Sequence, residues 1–327
     1  MPFRFRRKES VPDGVRRIVR EQIDRAIADA TSGEFDLHAA VHQVRKRCKK
    51  IRAVLRLVRP QFEPTYRFEN AWFRDAARGL ATFRDAESII ECCASLEKRF
   101  ADHPESGALA GLRERLVERR YRLTHEEHDL QQRLGEFLQE LRGARERVDD
   151  WPLGTGGFGG IVAGLQESYR RGRAALRAAY DAPTPENFHE WRKQVKYHWH
   201  HVRLLRNIWK RPMRAWENEL DELSERLGDD HDLAVLRATL ADEGDSLGDE
   251  SELDAYRSLI DLRSEELRAA ARPAGERLFA EPPKALVRRW RTYWRTWRKK
   301  GRSAAPAELR AKTNRDAVGR IGGGSAR

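Results

Sequence analysis

An all-α fold follows from two features of this 327-residue sequence: long segments carry apolar residues at three- and four-residue intervals, and the alternating Val-, Ile- and Thr-rich runs of half-buried strands are missing. A third feature organises the helices. Val41-His42-Gln43-Val44-Arg45-Lys46-Arg47-Cys48-Lys49 returns 147 residues later as Phe188-His189-Glu190-Trp191-Arg192-Lys193-Gln194-Val195-Lys196. The register holds downstream without a gap: Arg56, Leu57 and Arg59 fall on Arg203, Leu204 and Arg206, then Arg67 on Arg214, Leu80 on Leu227 and Asp85 on Asp232. One unit is written twice, and a His-Arg-Lys cluster is kept both times.

The spacing predicts helices over 13–31, 36–59, 64–82, 84–101, 105–147, 160–181, 185–209, 212–227, 230–243, 249–271 and 283–300. Residues 1–12 form a basic N-terminal extension, 13–150 the first half, 151–160 a connector and 161–300 the second half. Asp36 is placed to cap the 36–59 helix after Gly33 stops the one before it. For the 185–209 helix, Thr184 is the N-cap, Pro185 occupies the first position where a missing N–H does no harm, and Glu186 suits the positive end of the helix dipole. Gly228-Asp229-Asp230 is expected to end one helix and begin the next. The glycine cluster Gly154-Thr155-Gly156-Gly157-Phe158-Gly159-Gly160 lacks the Lys-Ser/Thr of a phosphate loop and reads as the connector. Beyond Arg302 the sequence loses apolar periodicity, and a disordered tail is expected over 301–327.

With 64 Lys and Arg against 52 Asp and Glu, the net charge is +12 and the pI about 9.9. Such a balance attracts polyanions, so a phosphate-rich partner is the first expectation. Cys48, Cys92 and Cys93 are few, odd in number and outside any metal-ligand spacing, which fits a reducing cytosol. No apolar stretch of about 18 residues occurs. A soluble cytoplasmic protein is therefore expected.

In the 36–59 segment, Val41, Val44, Cys48, Ile51, Leu55 and Val58 form one apolar stripe. One position along, His42, Arg45, Lys49, Arg52, Arg56 and Arg59 repeat the same spacing in basic residues. Neighbouring helix positions differ by about 100°, so this row borders the packed face and should lie at the rim of a groove. Residues 41–59 hold eight Lys or Arg and no carboxylate. Like charges at i,i+4 cost about 0.2–0.5 kcal/mol per pair, so relief must come from outside the helix. In the second half the apolar stripe is Phe188, Trp191, Val195, His198, Val202 and Leu205, beside His189, Arg192, Lys196, Trp199, Arg203 and Arg206.

The chain resembles the CHAD family, the conserved histidine α-helical domain, over most of residues 13–300. The resemblance rests on the His-x-x-Arg-x-x-x-Lys helix in both halves, on Tyr169-Arg170-Arg171-Gly172-Arg173, and on the Arg84-Asp85 and His231-Asp232 turns. It implies two helical bundles related by a pseudo-twofold axis, enclosing a basic central cavity that binds inorganic polyphosphate. Carried over, the binding candidates are His42, Arg45, Lys49 and Arg52, then His189, Arg192, Lys193 and Lys196. Arg170, Arg171 and Arg173 join from the preceding helix, with Arg17 and Arg20 in that part in the first half. Lys46, Arg56 and Arg203 complete the set. Two departures are visible: Trp199 replaces a basic residue and His231 replaces an arginine, so the second half should grip less strongly or with more pH dependence.

The ligand chemistry suits these side chains, since every unit of polyphosphate offers charge and acceptor oxygens but no base or sugar. Arg supplies a planar fork and Lys a mobile point charge, and His42 and His189 should bind better once protonated. Asp85 and Asp232 are expected to cap helices or orient arginine. No nucleophile–base pair or acidic metal cluster stands out, and the Glu-x-Glu-x-Lys signature of a triphosphatase domain is missing. A noncatalytic, granule-associated or scaffold protein without cofactor is expected. The alternatives are a basic groove for nucleic acid, which needs aromatics free to stack, and a polyphosphate-processing enzyme, which needs carboxylates on a metal.

Three further clusters have plainer readings. Of His189, His198, His200 and His201, only His198 and His201 approach a zinc spacing, and packing or polyanion contact is expected instead. His125-Glu126-Glu127-His128 brings its second histidine one residue too early for a metalloprotease and reads as an exposed patch. Trp290, Tyr293, Trp294 and Trp297 share one face of a basic terminal helix, expected to pack on the bundle rather than lie on a membrane.

Overall fold

Ser10, Asp36, Thr184 and Asp249 each accept a hydrogen bond from the backbone N–H three residues on, and each opens a helix. A cap of this type contributes about 1 kcal/mol. In the computed structural model, residues 3–299 are described apart from 81, 104–105, 124–126 and 155. Side chains at 82–85, 106–108, 110, 122–123 and 127–129 are outside that description as well, as are the predicted tail, the His125–His128 patch and the side chains of Arg84 and Asp85.

The described residues form eleven α-helices and no strand: α1 (Val11–Thr31), α2 (Leu37–Val58), α3 (Thr65–Gly79), α4 (Thr82–Arg99), α5 (Ser106–Leu123), α6 (Glu127–Arg147), α7 (Gly159–Asp181), α8 (Pro185–Leu205), α9 (Lys210–Glu243), α10 (Glu250–Leu278) and α11 (Pro283–Lys299). The 147-residue offset is visible in the elements. α2 ends at Val58 and α8 at Leu205, and each runs into a 3-10 turn, Arg59–Gln61 and Arg206–Ile208. α1 packs along α2, as α7 packs along α8.

Three helix boundaries differ from the spacing-based expectation. Gly228-Asp229-Asp230 does not break the chain, and α9 runs through it. Asp230 is buried there as a mid-helix acceptor for Arg268 (2.8 Å) and Ser264 rather than a cap, and the Arg192 side chain lies against the helix at Gly228. Asp232 follows it into the middle of α9, so it starts no helix either. The single helix expected over 105–147 is two. Leu109, Leu112 and Leu116 of α5 serve one core while Leu130, Leu134 and Leu141 of α6 serve another, which one straight rod does not reach. Finally α10 continues past residue 271 to Leu278 with Pro273 inside it.

Of these two cores, the larger gathers α1, α2, α6, α7, α8 and α11 around Ile51, Leu55, Trp191, Val195 and Trp290. The smaller joins α4 and α5 of the first half to late α9 and early α10 of the second. All twelve residues of the two apolar stripes are buried. α7 also approaches α2 closely: a Cβ on Gly164 would stand 2.1 Å from the Leu57 carbonyl oxygen, so only glycine fits. Trp290, Trp294 and Trp297 of α11 are buried against the bundle, as the packing expectation required. No described helix is long and apolar enough to cross a membrane.

Candidate functional site

α2 and α8 cross directly, because their apolar stripes meet in the larger core. At the crossing the His201 Nε2 lies 2.9 Å from the Ala53 carbonyl oxygen, and the Arg56 guanidinium stacks 4.1 Å from the Tyr197 ring centroid. The basic rows flank these contacts. Their members are half-buried, apart from Lys49, which reaches solvent.

Lys49 is the centre of the arrangement. Burial pushes its ammonium down to about 8, and the positive charges of Arg192, Arg45, Lys196 and Arg52 push in the same direction. Two of those four neighbours belong to each half. Water reaches Lys49 from one side while protein closes round the rest. Arg45 donates to the Ala77 carbonyl oxygen (3.0 Å) and Arg52 to the Asn70 Oδ1 (3.3 Å), both on α3. These neutral acceptors hold the guanidinium groups in place without cancelling charge. Arg52 is itself lowered by burial.

On the α8 side the balance differs. Lys196 is lowered by burial and by Arg192, but Asp221 and Glu225 of α9 pull it back. Asp221 and Asp229 are raised, each chiefly by burial, with Glu225 a like-charged neighbour of both. Glu217, Asp221, Glu225 and Asp229 recur every four residues along α9 beside the basic row, whereas the offset positions in the first half are Asn70, Arg74, Arg78 and Thr82. The two halves therefore present unequal fields: those positions carry no carboxylate in the first half, where Arg74 pairs with Asp75, and are acidic throughout in the second. The four-residue acidic spacing was present in the sequence and is the signal that would have found it.

At the far end of the α8 row, His189 and His231 face each other with Nδ1 atoms 3.1 Å apart and ring centroids at 4.2 Å. One ring must donate and the other accept, so the contact excludes protonation of both rings at once. His231 is lowered to about 4 by burial and by His189, Arg192 and Lys49, and His189 is lowered chiefly by burial. His42 is half-buried at the corresponding end of the α2 row.

The crossing thus brings together Arg45, Lys49, Arg52, Arg192 and Lys196, with His189 and His231 beside them. Other candidates sit elsewhere. Arg17 is bound to Glu9 (2.7 Å), Glu21 (3.1 Å) and the Arg4 carbonyl; Arg20 pairs with Asp149 (2.6 Å). Arg170 and Arg171 both hold Glu167 at 2.7 Å, and Arg173 lies on the same helix near Tyr169. Lys193 is paired with Glu190, and Lys46 is exposed. Arg203 pairs with Glu217 (3.2 Å) while lying over Trp199 at 4.5 Å, a ring that Lys196 also approaches.

Cations of α2 and α8 thus converge on one point of a helical scaffold. Residues 17–241, about two thirds of the chain, match the CHAD domain model, and the protein belongs to the CHAD family. Among curated proteins no relative matches.

Proposed function

We propose that this protein binds inorganic polyphosphate where α2 and α8 cross, and that it does so without catalysis, as a granule-associated or scaffold protein. One observation carries the reading: Lys49 stands among four positive neighbours drawn from both halves. Gathering five cations costs Coulomb energy that an isolated fold would avoid, and a chain of phosphates repays it by charge-assisted hydrogen bonds. Family membership points the same way.

Nucleic acid is the weaker alternative. Base stacking needs an accessible aromatic face, and the one beside the row, Trp199, is half-buried between Arg203 and Lys196. Competition binding separates the two readings, with long-chain polyphosphate set against duplex DNA, RNA and an inositol phosphate over a salt series. Polyphosphate is expected to win at equal phosphate concentration, with affinity falling steeply with salt. Equal competition by DNA sinks the proposal.

A further inference from the structure

The N-terminal extension is not a loose arm. Phe3 and Phe5 are buried, the Phe5 N–H donates to the Leu204 carbonyl (3.0 Å), Asn207 Nδ2 donates to the Phe5 carbonyl (3.0 Å), and Phe3 packs edge-on to His200. The strap closes one wall of a cavity of about 160 Å³ between α1, α2 and the end of α8, lined by Phe3, Arg4, Gln22, Arg25, Arg47, Lys50, Arg203 and Arg206. None of the five cations at the α2–α8 crossing lines it.

Six of the eight lining residues are cationic and none is acidic. Asp29 answers Arg47 at 2.8 Å, and Glu217 is shared between Arg203 and Arg206. Neither Arg4 nor Lys50 makes an ion pair among the described residues. Lys50 is pushed down to about 8 by burial and by Arg47, Arg203, Lys46 and Arg25, and Arg4 is lowered by burial and Arg206. Gln22 is 1% exposed and its amide oxygen is buried without a hydrogen bond.

We propose that this pocket is a second anion site, separate from the α2–α8 crossing, that takes a compact phosphate oxyanion such as pyrophosphate. Its volume is below the roughly 300–1,000 Å³ of sites for drug-sized ligands, which selects a small group over a nucleotide. The guanidinium and ammonium groups supply donors to the phosphate oxygens. Phe3 and Arg4 lie outside residues 17–241, so the site depends on this chain's own N-terminal strap.

The test is calorimetric titration of the full chain with pyrophosphate, in the wild type, in Arg4→Ser, in Lys50→Gln, and in Arg45→Glu with Arg192→Glu. Expected are a saturable site, weakened at least tenfold in each of the first two variants, unchanged in the double variant, and restored in Lys50→Arg. Circular dichroism checks that helicity is kept. Absence of a saturable site, wild-type affinity in Arg4→Ser and Lys50→Gln, or loss of the site in the double variant each overturns the proposal. Pyrophosphate binding that persists while polyphosphate shows no preference over DNA would instead sink only the reading of the crossing.

Discussion

The His201 imidazole donates its Nε2–H to the Ala53 carbonyl oxygen across 2.9 Å, tying α8 to α2 at the point where the two basic rows meet. Both groups are buried. His201→Leu removes one inter-helix hydrogen bond to a carbonyl that the α2 ladder still satisfies, and is expected to cost about 0.5–1.5 kcal/mol in urea unfolding. Because this contact sets the spacing of Lys49 and Lys196, the folded variant should also bind polyphosphate more weakly. Reduced stability with unchanged affinity would make the contact structural only.

Charge reversal at Arg45 and Arg192, one from each half beside Lys49, tests the convergence itself. Arg45→Glu with Arg192→Glu is expected to abolish the preference for polyphosphate over duplex DNA while helicity survives. The slope of log affinity against log salt should shrink by about two. Arg170→Glu with Arg171→Glu, whose side chains hold Glu167, is the matched control and should change the slope far less.

Helical periodicity placed the twelve stripe residues correctly, eleven of them apolar, because a stripe that cannot be solvated must face the core wherever the helix goes. The basic rows were legible for the same reason, one position along. What the sequence hid was pairing across helices: nothing local to Arg17 or Arg20 shows that Glu9 and Asp149 will claim them. Nor does a local signal show that Gly228 lies inside a helix, since the tertiary packing of Asp230 and Arg192 overrides the turn chemistry. The acidic spacing on α9 was readable, but its meaning required knowing which helix it faces.

Lys49 makes polyanion binding pH-dependent on the alkaline side. Its folded pKa of about 8 leaves it half-charged near pH 8, and a bound polyanion raises that value. Affinity should fall as pH rises from 7 to 9. At pH 8 binding should take up a fraction of a proton, up to about half, read by calorimetry in buffers of different ionisation enthalpy. Lys49→Arg, which stays charged, should flatten the profile. Proton uptake that persists in that variant would assign the titration to another group.

Asp221 and Glu225 offset part of the Lys196 charge through space. Asp221→Asn with Glu225→Gln should release that cation and tighten polyphosphate binding by about twofold to fivefold, the scale of roughly 0.5–1 kcal/mol for partly exposed ion pairs. The measurement is direct titration at low salt, where screening is weakest. Weaker binding would mean that the acidic row orients Lys196 instead of neutralising it.

Acid sensitivity should trace to His198. It is fully buried, stacked on Trp290 at 5.8 Å and tilted against Tyr169 at 5.0 Å, and neither ring nitrogen finds a partner. Burial lowers its pKa to about 3, whereas in the unfolded chain it titrates near 6.5. The unfolded state therefore binds the proton first as pH falls: the folded state has its full stability above about 6.5 and loses it progressively towards 3. By pH 5 the loss from this one group is about 2 kcal/mol. His198→Phe keeps the ring and removes the proton, so the stability difference between pH 7 and pH 5 in urea unfolding should shrink by about that amount. His200 and His201, both lowered chiefly by burial, keep the rest of the slope. An unchanged slope in His198→Phe would show that the His198 ring reaches water or a partner in solution.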